Sequence, residues 1–154
     1  MIVDDVAGLR RLLTTNQVIA VVGLSANWSR PSYFVAKYMQ DHGYRIIPVN
    51  PAYTEVLGEK CYPSLAAIPE QVDMVDCFRK AIEIDALATE AIAIGAKCLW
   101  MQLGVINEAA AATASQAGLD VVMDRCVKIE HGRLFGGLNF VGVNTNIVSA
   151  KRMM

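Results

Sequence analysis

The segment between Val18 and Ser32 constrains the fold more than any other part of the chain. It begins with the apolar, largely β-branched run V-I-A-V-V, is interrupted at Gly23, and resumes with a helical pattern near Pro31. This order is typical of a strand, a glycine turn and the start of a helix. Because unpaired N–H groups and partial positive charge gather at a helix start, an anion suits that position. The same loop supplies hydroxyls and one full positive charge, which together predict a phosphate-binding site, from Ser25, Ser29, Arg30 and Ser32.

Strand and helix patterns alternate along the rest of the chain. Apolar runs predict strands over residues 18–22, 45–49, 74–78, 98–103 and 121–123. Helical spacing predicts helices over residues 4–15, 31–42, 82–94 and 107–117, with Asp4 or Asp5 and Asn107 as caps, and a short helical turn at 64–67. Near-continuous apolar strands that alternate with helices are typical of a parallel sheet covered on both faces. We therefore predict an α/β fold, a Rossmann-like doubly wound parallel sheet of about five strands with helices on both faces.

The length of the chain, residues 1–154, predicts a single domain that can bury a substantial core. Its N-terminal helix falls within residues 1–16. Residues 52–63 are predicted to form a loop. Residues 132–154 contain several glycines and no clear period, so we predict an irregular tail there.

Composition argues against several functional classes. The net charge is −1 and no basic run occurs, so we expect no nucleic-acid partner. No apolar stretch reaches the roughly 18 residues that a membrane span needs, and acidic residues stand near the N-terminus where a signal peptide carries basic ones. We therefore expect no membrane association and a cytoplasmic location. The cysteines lack C-x-x-C spacing, which favours free thiols and no metal site, at Cys61, Cys77, Cys98 and Cys126.

Polar and small residues recur where the predicted strands end. In an open parallel sheet, ligands bind beyond the carboxyl ends of the strands, at the switch in strand order. The residues at these ends are Gly23 to Ser25, Asn50 and Pro51, Phe78 to Lys80, Gln102 to Gly104, and Arg125 with Cys126. We expect a ligand site there, although each residue taken alone is also compatible with ordinary loop chemistry.

The glycine loop does not match the dinucleotide fingerprint G-x-G-x-x-G, because Ser25 stands where the second glycine would be. A nicotinamide-binding domain also usually carries an acid at the end of its second strand, where it binds the ribose hydroxyl. This chain has Asn50 and Pro51 there, and no acid before Glu55. Positive charge is available instead on Arg30, Arg79, Lys80 and Lys60. A nucleotide that carries an extra phosphate fits this balance better than NAD.

Six motifs in order resemble the small stand-alone CoA-binding proteins, which are similar to the N-terminal domain of the succinyl-CoA synthetase α subunit. The motifs are V-V-G-L-S with R-P-S, P-V-N-P, G-E-K-C-Y-P-S-L, V-D-x-x-x-x-F-R, W-x-Q-x-G-V and D-R-C-x-K-x-E-H. They span about residues 17–131. The resemblance implies a Rossmann-like domain that binds coenzyme A at the strand ends.

The resemblance also implies roles for individual residues. Phosphates would be held by Gly23, Ser25, Arg30 and Ser32. The adenosine would be flanked by Asn50, Pro51 and Tyr53. The pantetheine arm would pass Phe78, Arg79, Gln102 and Gly104.

Two departures from the synthetase pattern limit the resemblance. A basic residue follows the strand-two proline in the synthetase, but Ala52 follows Pro51 here, which leaves Arg30 or Lys60 as substitutes at the 3′-phosphate. The synthetase also has a further domain with a phosphorylated histidine, and this chain stops short of it. We therefore expect a protein that binds coenzyme A or an acyl-CoA as a binding or regulatory protein, and no catalytic residues. An NAD(P)-dependent oxidoreductase and a pure interaction module are the alternatives, and a homo-oligomer or a protein partner stays open.

Cys126 is the one candidate for a reactive side chain. It follows the last predicted strand beside Arg125 and near Lys128, and nearby positive charge lowers the pKa of a thiol. One hypothesis is a thiolate that meets the tip of the pantetheine arm and forms a reversible mixed disulfide with CoA under oxidising conditions. The alternative, which the sequence favours, is a small half-buried side chain with no chemical role. His131 follows Lys128 and Glu130 and is predicted to lie in a solvated polar turn. Trp28 either covers a ligand or closes the core.

Overall fold

The computed structural model describes residues 1–136. Five parallel strands form one sheet, in the order β2-β1-β5-β6-β7. The strands of this sheet are β1 (Val18–Val22), β2 (Arg45–Val49), β5 (Met74–Cys77), β6 (Cys98–Met101) and β7 (Asp120–Val122). A separate antiparallel pair, β3 (Glu55–Val56) and β4 (Glu59–Lys60), lies between β2 and β5 in the chain. The strand order reverses direction between β1 and β5, which places the topological switch point there.

Helices cover both faces of the sheet and bury its apolar side chains in two layers. The helices are α1 (Val6–Thr15), α2 (Pro31–Asp41), α3 (Ile84–Ala93), α4 (Glu108–Gln116) and α5 (Val127–Phe135), with 3-10 turns at Leu65–Ala67 and Ala81–Glu83. Helices α1, α2 and α5 pack with Trp100 on one face. Helices α3 and α4 pack with Leu99 on the other. The predicted α/β fold is therefore confirmed.

The predicted helix caps are also confirmed. Asp5 accepts a hydrogen bond from the Gly8 amide at 3.2 Å at the start of α1. Asn107 accepts one from the Ala110 amide at 3.0 Å at the start of α4. A short polar side chain placed directly before a helical pattern satisfies one of the amides left unpaired at the helix start. Among residues 1–136, no helix is long and apolar enough to cross a membrane.

The predicted loop over residues 52–63 contains the β3–β4 hairpin instead. Its two-residue turn consists of Leu57 and Gly58, with φ of 56° and 74°. A turn with positive φ at both central residues matches the twist of the flanking strands. Strands of two residues are too short to show an alternating pattern, so periodicity could not reveal them.

Helix α5 is the larger departure, since it extends four residues into the predicted irregular tail that begins at residue 132. Its buried positions are Val127, Glu130, His131 and Leu134, which is helical spacing. Two of these four buried side chains are polar, so the sequence does not show the apolar spacing from which a helix is predicted. The prediction of a solvated turn at His131 was wrong, because this side chain is only 8% exposed. The rest of the predicted tail, residues 137–154, lies outside the described residues.

Candidate functional site

A cavity of about 940 Å³ opens at the carboxyl ends of β1, β5 and β6, between the loop after β1 and the start of α5. Ten of the site residues predicted from the sequence line it. They are Gly23, Ser25, Arg30, Ser32, Asn50, Tyr53, Phe78, Arg79, Gln102 and Cys126. These residues come from distant parts of the chain and meet because parallel strands end at the same edge of the sheet.

Gly23 is the turn at which β1 leaves the sheet. Its φ is +87°, and a Cβ atom there would lie 2.3 Å from the carbonyl oxygen of Phe78. The Gly23 amide donates to the Val49 carbonyl at 2.9 Å, so the turn is fixed to β2 as well. Only glycine combines this backbone conformation with so close an approach of another chain segment. The loop that leads to α2 therefore starts from a rigid point.

The loop after Gly23 is organised by its own hydroxyl and amide groups. The Ser32 hydroxyl, which is buried, accepts a hydrogen bond from the Ser25 amide at 3.0 Å. The Ser25 hydroxyl in turn accepts from the Asn27 amide, and Asn27 accepts from the amide and hydroxyl of Ser29. Ser29, which the sequence grouped with the phosphate-binding residues, is not among the lining residues. The serines thus shape the loop at the start of α2.

Arg30 precedes Pro31 at the start of α2 and is exposed at the cavity. No acidic residue lies in the first turn of this helix. Within residues 1–136, the Arg30 side chain makes no hydrogen bond or ion pair, so its charge is available to a ligand. A helix start and an unpaired guanidinium at one end of a cavity provide two independent sources of attraction for an anion.

Asn50 has a structural role at the same edge. Its amide nitrogen donates to the Leu24 carbonyl at 3.1 Å, and its amide oxygen accepts from the Ala52 amide at 3.0 Å. The side chain therefore joins the loop after β2 to the loop after β1. Neither of these hydrogen bonds can be predicted from sequence alone, although the polar residue at a strand end could be noticed.

Pro51 and Gly104 are two predicted site residues that lie outside the main cavity. Pro51 lines a second cavity of about 390 Å³, which shares Arg79 and Glu83 with the first. Gly104 donates its amide to the Asp124 carboxylate at 2.7 Å and is not among the lining residues. Gly104 therefore holds the loop after β6 against the end of β7, while its neighbours Gln102, Leu103 and Val105 line the cavity.

Several apolar side chains also line the cavity. Phe34 and Val35 of α2, Leu103 and Val105 after β6, and Ile129 of α5 line it. Lys128 of α5 and Lys80 add positive charge at its rim. Ile129 was missed by sequence reasoning because helix α5 was not recognised. The cavity lining thus combines cationic, polar and apolar side chains, which suits a ligand of mixed polarity.

Cys126 lines the cavity at the start of α5, but its predicted activation was wrong. Burial raises the pKa of the Cys126 thiol, and the amides of Ile129 and Lys128 oppose this effect only in part. The Arg125 guanidinium does not serve the thiol, because it pairs with Asp4 and Glu130. A thiol with a raised pKa is mostly protonated at neutral pH, which is the unreactive form.

Trp28 is 75% exposed and is not among the lining residues, so it neither closes the core nor covers the cavity in this structure. Lys60 lies with its ammonium 5.2 Å from the centre of the Tyr62 ring and is also not among them. Of the two residues that the sequence offered for a 3′-phosphate, only Arg30 is at the cavity.

Asp76 is the important residue that sequence reasoning missed. It lies within β5, is 1% exposed, and accepts a hydrogen bond from the amide nitrogen of Gln102. Burial raises the pKa of Asp76 to about 7, although the hydrogen bond from Gln102 works against this. An acidic residue inside the apolar strand M-V-D-C was the available signal, since buried carboxylates are rare without a partner.

Comparison with known proteins identifies relatives over most of the chain. A sequence profile described as CoA binding domain matches residues 17–132. The uncharacterized protein YneT of Bacillus subtilis is 41% identical over 125 residues, which cover 81% of this chain and 93% of YneT. The solved structure of a hypothetical protein from Pyrococcus horikoshii is similar with a TM-score of 0.84 and 42% identity, over 86% of this chain and 94% of that one.

A shorter match connects the chain to larger enzymes. Acetate–CoA ligase (ADP-forming) I of Archaeoglobus fulgidus is 38% identical over 58 residues, which are 38% of this chain. The match spans only 8% of the length of that ligase. It therefore relates this chain to one small part of the enzyme.

Proposed function

The chain belongs to the CoA binding domain family, and on that premise we propose that it binds coenzyme A or an acyl-CoA at the carboxyl ends of its parallel sheet. The proposed role is that of a binding or regulatory protein. The observation that supports it best is the combination of the Arg30 charge, which is unpaired within residues 1–136, and the start of α2 at a cavity that several apolar side chains also line. Coenzyme A has matching chemistry, since it carries charged phosphates and a long neutral arm.

In this proposal the phosphates lie against the start of α2, near Gly23, Ser25 and Arg30. The pantetheine arm then runs past Phe78 and Arg79 toward Gln102, all of which line the cavity. Its thiol or thioester end reaches the region of Leu103, Val105 and Ile129. An apolar acyl group would bury these side chains, of which Leu103 is exposed without a ligand.

An NAD(P)-dependent oxidoreductase is disfavoured by the end of β2. A carboxylate is expected there to accept hydrogen bonds from the ribose hydroxyls. Asn50 occupies the position instead, and both ends of its amide are engaged with the backbone of Leu24 and Ala52. Asn50 therefore does not supply the carboxylate that usually binds the ribose of a nicotinamide cofactor, and its amide already holds two loops together.

The proposal that the protein is not an enzyme in its own right is supported by the histidines. His42 and His131, the two in the chain, lie together between α2 and α5 with ring centres 5.2 Å apart. Neither is among the residues that line the cavity. The most common general acid and base in proteins is thus away from the proposed ligand.

Native mass spectrometry of gently purified protein tests this function. We expect a population whose added mass equals that of CoA or an acyl-CoA and whose ligand is lost on denaturation. The matched comparison is the Arg30→Ala variant prepared in parallel, which should retain less ligand. Co-purification of NAD or NADP in place of CoA would contradict the proposal.

A further inference from the structure

Asp76 lies at the centre of the sheet, where a carboxylate is costly to bury. Strand β5 has neighbours on both sides, and Asp76 is in register with Val21 of β1 and Trp100 of β6. Burying a carboxylate carries a large desolvation penalty, and well-packed apolar replacements of buried charged groups are often neutral or stabilising. Within residues 1–136, no cation pairs with this carboxylate. The acid therefore calls for an explanation beyond the fold.

The explanation lies in its partner, Gln102. Side chains two residues apart on a strand share a face, so Gln102, two residues after Trp100, extends the face on which Asp76 lies. The amide nitrogen of Gln102 donates to the Asp76 carboxylate. Gln102 is itself only 4% exposed and lines the cavity. The pair thus connects a fully buried carboxyl group to the lining of the proposed ligand site.

An ionised carboxylate, the form that Asp76 takes above about pH 7, can only accept hydrogen bonds, and in this form it determines which way the Gln102 amide points. The two ends of a glutamine amide have nearly the same shape but opposite hydrogen-bonding character. With its nitrogen held by Asp76, Gln102 is left with its oxygen to offer to the cavity. Without the carboxylate, the amide could turn over and present N–H groups there. Asp76 therefore selects an acceptor at this point of the site.

We propose that Asp76 is a positioning residue that orients Gln102 so that its side-chain oxygen accepts an N–H group of the ligand. This inference rests on the proposed function, because the pantetheine arm of coenzyme A carries two amide N–H groups that can donate there. The nucleotide part of coenzyme A lies at the Arg30 end and does not reach Gln102. The pair therefore discriminates in favour of ligands with an amide-bearing arm.

The test compares two ligands, coenzyme A and its nucleotide part alone, adenosine 3′-phosphate 5′-diphosphate, by calorimetry at a pH above the pKa of Asp76, where the side chain is a carboxylate. In Asp76→Leu we expect CoA to bind about 5- to 10-fold more weakly, the range for one hydrogen bond, while nucleotide affinity changes less than twofold. Gln102→Leu should show the same split. The double variant should lose no more than either single one, because the two residues act as a unit.

A measurement on the unliganded wild-type protein is independent of how the variants fold. In ¹⁵N-labelled protein, the side-chain N–H groups of Gln102 should exchange slowly with solvent, and those of Asn27 on the exposed loop should exchange fast. Fast exchange at Gln102 would overturn the inference. An equal loss of CoA and nucleotide affinity in Asp76→Leu, or no loss, would overturn it as well. Failure of the wild-type protein to bind either ligand would overturn the proposed function and this inference together.

Discussion

Replacement of Gly23 by alanine tests whether the turn after β1 is as constrained as the structure shows. The added Cβ atom would lie 2.3 Å from the Phe78 carbonyl oxygen and 3.1 Å from its carbon. Both are backbone atoms, and the Phe78 amide is bonded to the Val22 carbonyl at 2.9 Å. Phe78 cannot move aside without disturbing the end of β5, so the clash must be absorbed by the sheet edge that carries the site.

The expected loss of stability has two parts. A non-glycine residue at positive φ costs roughly 1–2 kcal/mol. Overpacking against a neighbour that yields only partly costs about 1–3 kcal/mol more. Gly43 is the matched control, because its φ is +93° and a Cβ atom there would meet nothing within 4 Å. Gly43→Ala should therefore show the backbone part alone, and Gly23→Ala should exceed it by about 1–3 kcal/mol.

Urea unfolding of the wild-type protein and both variants measures these differences as shifts in midpoint at constant slope. Calorimetry with CoA on the folded variants adds a second reading. Gly43→Ala should bind like the wild type, while Gly23→Ala should bind much more weakly because Phe78 and Arg79 line the cavity. Equal destabilisation of the two variants would refute the argument from close approach.

Three further predictions concern the charges and titrating groups. Arg30→Ala should weaken CoA binding by about 1–3 kcal/mol with little change in stability. The control is Lys37→Ala, a lysine within α2 that pairs with Asp41, and it should leave binding unchanged. Equal losses of affinity in calorimetry would refute a specific contact from Arg30. Because burial raises the pKa of the Cys126 thiol, its reaction with CoA disulfide should be slow at neutral pH and faster at alkaline pH. Intact-mass measurements should show this adduct in the wild type and none in Cys126→Ser, and rapid modification at neutral pH would contradict the prediction. Burial and the nearby His42 ring lower the pKa of His131, so the unfolded chain binds a proton at a higher pH than the folded chain does. Relative to His131→Gln, the free energy of unfolding should therefore fall below about pH 6.5 by up to about 1.4 kcal/mol per pH unit. Urea unfolding that gives parallel pH curves for the two proteins would refute this.

The sheet and most of the cavity lining could be predicted because each depends on a local pattern and a general rule. Apolar runs such as residues 18–22 and 45–49 fixed the strands, and parallel pairing then brought their carboxyl ends to one edge. That rule alone brought Gly23, Phe78 and Gln102 together, although no short-range pattern links them. The specific roles that the family resemblance gives to these residues stay predictions.

The misses have physical reasons as well. Helix α5 was missed because Glu130 and His131 fill buried positions that a hydrophobic pattern expects to be apolar. Glu130 is accommodated by ion pairs with Arg125 and Arg133, and His131 by the Tyr38 hydroxyl at 3.0 Å. Tyr38 belongs to the distant helix α2, and Arg133 belongs to α5 itself, so neither contact is visible in a local hydrophobic pattern. For the same reason, the position of Arg125 beside Cys126 in the sequence could not show that Arg125 pairs with Asp4 and Glu130 instead.

The most direct test of the account is a calorimetric comparison of CoA, NAD and NADP on the wild-type protein under identical conditions. The charge of Arg30, which is unpaired within residues 1–136, the start of α2 and the occupied amide of Asn50 predict that CoA binds more tightly than either nicotinamide cofactor. Binding of NAD as tight as that of CoA, or tighter, would contradict the account.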